Sequence, residues 1–167
     1  MADKKIRKMV LAAMLTALVI AATVAIKIPS PTNGYINPGD AFVLLCGWLL
    51  GPWYGAAAAG IGAMLADLLA GYAYYAPASL LIKGLDALTA AFLYRSLHRR
   101  SGSLLFSGIV GELLMATGYF GYSALLLRKG MAAALSIPGN LVQGALAVIA
   151  GAALMHMAKR THLTEKF

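Results

Sequence analysis

The stretches IPSPTNGYINPGDAF (residues 28–42) and GPWYGAAAAGIGAMLADLLAGYAYYAPASLLIK (residues 51–83) decide how this chain is read. The first is too rich in Pro, Gly and Asn to continue a helix, and it leads into apolar runs that carry Asp40, Asp67 and Lys83. Ionisable groups inside apolar segments are costly in a bilayer, so they mark a place where something is paired or bound.

The rest of the composition agrees with a bilayer setting. The 167 residues are 60% hydrophobic and only 12% charged, with a mean hydropathy of +0.76, whereas soluble domains carry about 25% charged residues. A crossing needs roughly 20 apolar residues. The chain therefore reads as an all-α integral membrane protein, a compact bundle of six transmembrane helices forming one membrane domain over residues 1–167. The spans are expected near 8–28, 40–51, 54–72, 77–97, 104–126 and 137–158. Pro29 and Pro31 end the first, Gly51 and Pro52 cut the second short, and Pro77 and Pro138 open the fourth and the last. Trp48 and Trp53 bracket the break after the second span, as interfacial anchors would.

The formal charge of +8 is not a nucleic-acid signature, because the basic residues form short clusters beside apolar runs. With six spans and a cytoplasmic N-terminus, Lys4, Lys5, Arg7, Lys8, Arg95, Arg99, Arg100, Lys159, Arg160 and Lys166 lie inside, leaving Lys27, Arg128 and Lys129 outside. Both termini are then cytoplasmic. The lone cysteine, Cys46, lies in an apolar run and reads as a small core residue. The basic start followed by a long apolar run is a first membrane helix, longer than the core of a signal peptide.

That topology gives the polar residues a shared depth in the outer half. Asp40 starts the second span, Asp67 ends the third, and Lys83 and Asp86 lie one to two turns below the outer start of the fourth. Lys83 is expected to pair with Asp86 on its own helix or with Asp67 across the hairpin, and Asp40 is expected to cap the second helix. Glu112 falls nearer mid-membrane, while Asn140 and Gln143 share one face of the last span. Tyr35, Tyr72, Tyr74, Tyr75, Tyr119 and Tyr122 all fall at the outer end, either as an interfacial belt or as flat faces for an aromatic ligand. A substrate pocket open to the outside follows, drawn from Tyr35, Asn37, Lys83, Asp86, Glu112, Tyr119, Asn140 and Gln143. The first loop, residues 29–39, is expected to gate it.

A second feature lies on the first helix. Ala13, Ala17, Ala21 and Ala25 recur every four residues and draw a smooth stripe, suited either to close packing within the bundle or to docking on another membrane protein. A phosphate-binding GxxxxGK[ST] loop is absent, as are HExxH, GxSxG and paired metal-ligand spacings, so no ATPase, enzyme, cofactor or metal chemistry is expected.

The alanine stripe, the external GYINPGD loop and the continuation LLGPWYGAAAAGIGAMLADLLAGYAYYAPASLLIKGL together resemble the substrate-binding S component of an energy-coupling factor (ECF) vitamin transporter. The resemblance covers nearly the whole chain. It implies a plasma-membrane protein that binds a micronutrient from outside beneath its first loop, while a T component and two ATPase subunits supply the energy. It also implies that Ala13, Ala17 and Ala21 dock on the T component. The GYIN-GD loop is most similar to members assigned to pyridoxine-like or hydroxymethylpyrimidine substrates. Two other readings stand beside it: an autonomous carrier in which Glu112 or Asp86 moves a proton, and an intramembrane enzyme using Asp67 and Glu112.

Overall fold

The structure, a computed structural model, describes residues 2–29, 35–98 and 101–161. Pro31, Thr32 and Gly34 of the first loop, and the basic residues Arg99, Arg100 and Lys166, lie outside them. The elements are α1 (Ala2–Ala25), a short hairpin of β1 (Ile28–Pro29) and β2 (Tyr35–Ile36), α2 (Asp40–Leu45), α3 (Pro52–Ala70), α4 (Ala76–Ser96), α5 (Ser101–Gly121) and α6 (Ile137–Arg160). A wide π turn, Cys46–Leu50, prolongs α2, and another, Tyr122–Leu126, prolongs α5. A 3-10 segment, Gly130–Ser136, leads into α6. Five of the helices are long and apolar enough to cross a membrane, and the shorter 40–50 segment is the sixth.

Sequence chemistry sets the boundaries. Proline sits in the first turn of α3, α4 and α6, where its missing amide costs nothing. Between α2 and α3 the chain turns at Gly51, whose φ of 82° belongs to glycine. Gly71 does the same at φ 84° after α3.

The short second helix is the post around which the bundle is built. Val43, Cys46 and Leu50 pack on Leu15 and Val19 of α1, on Ala58, Ala59 and Ala63 of α3, and on Ala87 of α4. Leu44 and Trp48 pack the other way, with Ala90 and Tyr94 of α4, Leu104 of α5 and Ala147, Val148 and Met155 of α6. With its surface covered by neighbouring helices, this segment does not need the apolar length of a lipid-facing span. Trp48 is accordingly buried and donates Nε1–H to Ser107 Oγ at 3.0 Å, so it is a core residue and not the interfacial anchor expected from its position. Trp53, 74% exposed, keeps the outward place.

Eleven residues rise only about 16 Å, and two contacts show where that length falls. Asp40 at the start of α2 meets Lys83, two turns into α4, and a side chain at Gly51 would run into the Arg95 guanidinium at the inner end of α4. The segment therefore spans the lower part of the bundle. The hairpin descends from above to meet it, and the space left beside that descent becomes the site.

Glycine and alanine allow the close approach of α3 to its neighbours. A Cβ on Gly55 would lie 2.6 Å from the Cys46 carbonyl, and one on Gly60 would lie 2.5 Å from that of Leu80. Apolar side chains such as Leu69, Leu81, Leu125 and Ile149 cover the outside, as lipid contact requires.

Candidate functional site

The cavity beneath the hairpin has a volume of about 60 Å³ and is lined by α1, α2, α3, α4, α5 and α6 together with the hairpin. Its floor is the ion pair Lys83 Nζ to Asp40 Oδ1 at 2.5 Å, both side chains being buried. Gln143 Nε2 donates to the other Asp40 oxygen at 2.6 Å. Asp40 is therefore neither a cap nor a free acceptor, since α2 has no side-chain cap bond and starts from Gly39.

Lys83 thus takes neither of the partners expected from sequence spacing. Helical side chains lean toward the N-terminus, which on α4 points outward, and this carries Lys83 toward the start of α2. Asp86, three residues on, is turned to α5 instead. Its Oδ1 fills the space that a Cβ on Gly111 would take. Asp67 faces the opposite wall, accepting from Tyr35 Oη at 2.6 Å and from the Ser79 hydroxyl.

The upper wall is aromatic. Tyr119 Oη lies 2.6 Å from Ser79 Oγ, and the Lys83 ammonium sits 5.3 Å from the centre of the Tyr119 ring. Tyr75 lines the cavity and shares a 3.1 Å hydrogen bond with Ser123. Tyr35 stacks obliquely on Tyr72 with centroids 4.7 Å apart. Burial first, and Asp67 second, push the Tyr35 hydroxyl far above the usual tyrosine range, so it stays a donor.

Two bonds hold the hairpin down over this space. Tyr35 reaches Asp67 on α3, and the Asn37 amide donates to Gln143 Oε1 on α6 at 2.8 Å. Asn37 also accepts from the Gly39 amide at 2.9 Å, which shapes the turn into α2. A residue with a side chain at 39 would collide with Thr23.

Of the residues expected at the site, Tyr35, Asn37, Lys83, Tyr119, Asn140 and Gln143 line the cavity, and Asp86 and Glu112 do not. Those two lie behind its floor, fully or nearly fully buried, with no hydrogen-bond donor to either carboxyl group among the described residues. Glu112 packs on α6 at Gly144, where a Cβ would lie 2.8 Å from its own Cβ. Sequence reasoning missed the serines, Ser79, Ser123 and Ser136, and the α1 contribution of Val19 and Thr23. Hydroxyls in apolar helices give no sequence signal apart from helical register with the known polar positions. Ser79, four residues before Lys83, had that signal.

The stripe on α1 points away from all of this. Ala13, Ala17, Ala21 and Ala25 are exposed, whereas Leu15, Val19 and Thr23 face the bundle. Only 17% of the α1 apolar window is buried, against 39–56% for the other long helices.

A family model described as ECF-type riboflavin transporter, S component, matches residues 3–160. The chain belongs to the ECF transporter S components. An uncharacterized protein of Pyrococcus woesei, described by its place in the gap 3′ region, is 31% identical over 143 residues, covering 85% of this S component and 95% of that protein. Among solved structures, one titled as the structure and mechanism of the S component of a bacterial ECF transporter superposes with a TM-score of 0.77. It is 22% identical and the match covers 94% of this chain and 98% of that one, which makes the six-helix architecture a shared fold. The protein is thus an integral membrane transport component, and its family is not one of enzymes.

Proposed function

We propose that this S component captures a flat heteroaromatic micronutrient from outside the cell in the cavity under the hairpin, and that a T component and two ATPase subunits in the plasma membrane power its release inward. The observation that carries the reading is the cavity itself, a polar floor of Lys83, Asp40 and Gln143 under a wall of tyrosines, with the hairpin pinned over it. Aromatic rings offer apolar faces to a planar ligand, and Asn140, Gln143 and the serine hydroxyls offer both donors and acceptors to ring nitrogens and hydroxyls. Glu112 and Asp86, buried near Lys83, hold unused acceptor capacity beside this floor.

Riboflavin is the first candidate, supported by the description of the matching family. Pyridoxine and hydroxymethylpyrimidine are the second, supported by the GYIN-GD loop and by the small size of the cavity. At about 60 Å³ the closed space is well below the roughly 150 Å³ cavity that takes a benzene ring, so each candidate requires the hairpin to lift and the Tyr35 and Asn37 bonds to exchange. Calorimetry of the purified protein with riboflavin, pyridoxine, hydroxymethylpyrimidine and thiamine tests the reading. One compound is expected to bind at least a hundredfold more tightly than the rest, and Asn140→Ala to weaken it about five- to tenfold, the size of one lost hydrogen bond. Equal weak binding of all four, indifferent to Asn140→Ala, would overturn it.

A further inference from the structure

At the cytoplasmic end of the bundle, far from the cavity, a groove of about 460 Å³ runs between the start of α5 and the end of α6. Leu104 and Leu105 form one side, and Ala152, Ala153, His156, Met157 and Arg160 form the other. The α6 wall is graded along its length. Ala152, His156 and Arg160 recur at four-residue spacing on one helix face, so the groove changes from bare methyl to imidazole to guanidinium over about 12 Å. Arg160 is the last residue of α6 and lies at the cytoplasmic boundary, while Ala152 lies two turns deeper.

Among the described residues, no acidic side chain pairs with Arg160 at the mouth. Lys83 with Asp40 is the one salt bridge among the described residues, and the four acidic side chains described, Asp40, Asp67, Asp86 and Glu112, all lie in or behind the external site. His156 and Arg160 are exposed.

We propose that this groove is a binding site for an anionic phospholipid of the inner leaflet. One acyl chain lies along Leu105 and the two alanines, and the phosphate is held by Arg160 with His156 beside it. The match is one of gradient as well as sign: a phospholipid passes from anion to hydrocarbon over the same distance and in the same direction as the wall. Guanidinium is the side chain best shaped to take two phosphate oxygens at once. A docking helix from another subunit would use the apolar floor but leave the cationic mouth unexplained.

Native mass spectrometry and thermal unfolding in detergent test the site, with phosphatidylglycerol, phosphatidylcholine of the same chains, and water-soluble glycerophosphate as probes. Phosphatidylglycerol is expected to be retained at one equivalent and to raise the unfolding temperature by a few degrees. Phosphatidylcholine should be retained at least tenfold less, and glycerophosphate should do neither, since it lacks the chain. Arg160→Gln should lower phosphatidylglycerol retention about tenfold. Ala153→Phe, which fills the groove from an exposed position, should abolish it while vitamin binding at the distant cavity is unchanged. Equal retention of the two lipids, an effect of glycerophosphate matching that of the lipid, or full retention by both variants would overturn the site. So would loss of partner-subunit binding in Arg160→Gln with lipid retention intact, which would give the groove to protein.

Discussion

Lys83 and Asp40 show how much a single pair decides in a membrane interior. Both are buried, and the Gln143 amide completes the shell around the carboxylate. Removing one member of such a pair leaves the other charged and unpaired, at a cost of about 3–5 kcal/mol, whereas replacing both is much milder. Lys83→Met is therefore expected to lower the unfolding temperature sharply, and Asp40→Asn in the same chain to recover most of the loss. Thermal unfolding of the parent, the single and the double variant measures this directly, and additive losses would show that the two groups do not act as a pair. Glu112 and Asp86 are buried close to this pair and feel its charges. Each is packed on a glycine, Gly144 and Gly111, so the neighbouring helix has been thinned to accommodate a carboxyl group.

Among the elements, α1 and α2 divide the work of the bundle. α2 is surrounded, so its short length sets the depth of the cavity, and its polar first residue becomes the floor. α1 is peripheral, and its small-residue face is turned outward with Met14 and Leu18 beside it. Association inside lipid gains little from hydrophobic burial and depends on many close contacts, each worth about 0.1–0.2 kcal/mol. One large side chain in such a face disrupts the whole set. Ala17→Trp is expected to abolish co-purification with a T component and ATP-driven uptake, while vitamin binding by the isolated protein stays within about twofold of the parent. Pull-down and calorimetry on the same preparation check it, and loss of binding in a well-expressed Ala17→Trp protein would place the stripe in the internal packing.

For the whole molecule, the decisive question is where the energy for transport comes from. The sequence holds no phosphate-binding loop, and the cavity lies below a hairpin pinned to α3 and α6. Proteoliposomes containing this chain alone are expected to bind the vitamin without accumulating it, with or without a pH gradient. Adding the T component and ATPases with internal ATP should start uptake. Accumulation by the chain alone, driven by a pH gradient and lost in Glu112→Gln, would support the proton-coupled carrier instead.

Apolar run length and the placing of prolines determined the membrane bundle and its six segments, because these depend on transfer to lipid and local backbone chemistry. The same reading gathered Tyr35, Asn37, Lys83, Tyr119, Asn140 and Gln143 at one depth, since helical rise converts sequence position directly into height. Height along a helix does not specify which neighbour a side chain faces. That depends on how each helix is rotated in the bundle, and the rotation is set by which glycines and alanines meet across helix pairs. Only the tertiary structure therefore paired Lys83 with Asp40 in place of Asp67 or Asp86, and only it buried Trp48 against Ser107. It alone turned the alanine stripe outward and set Glu112 and Asp86 behind the cavity floor.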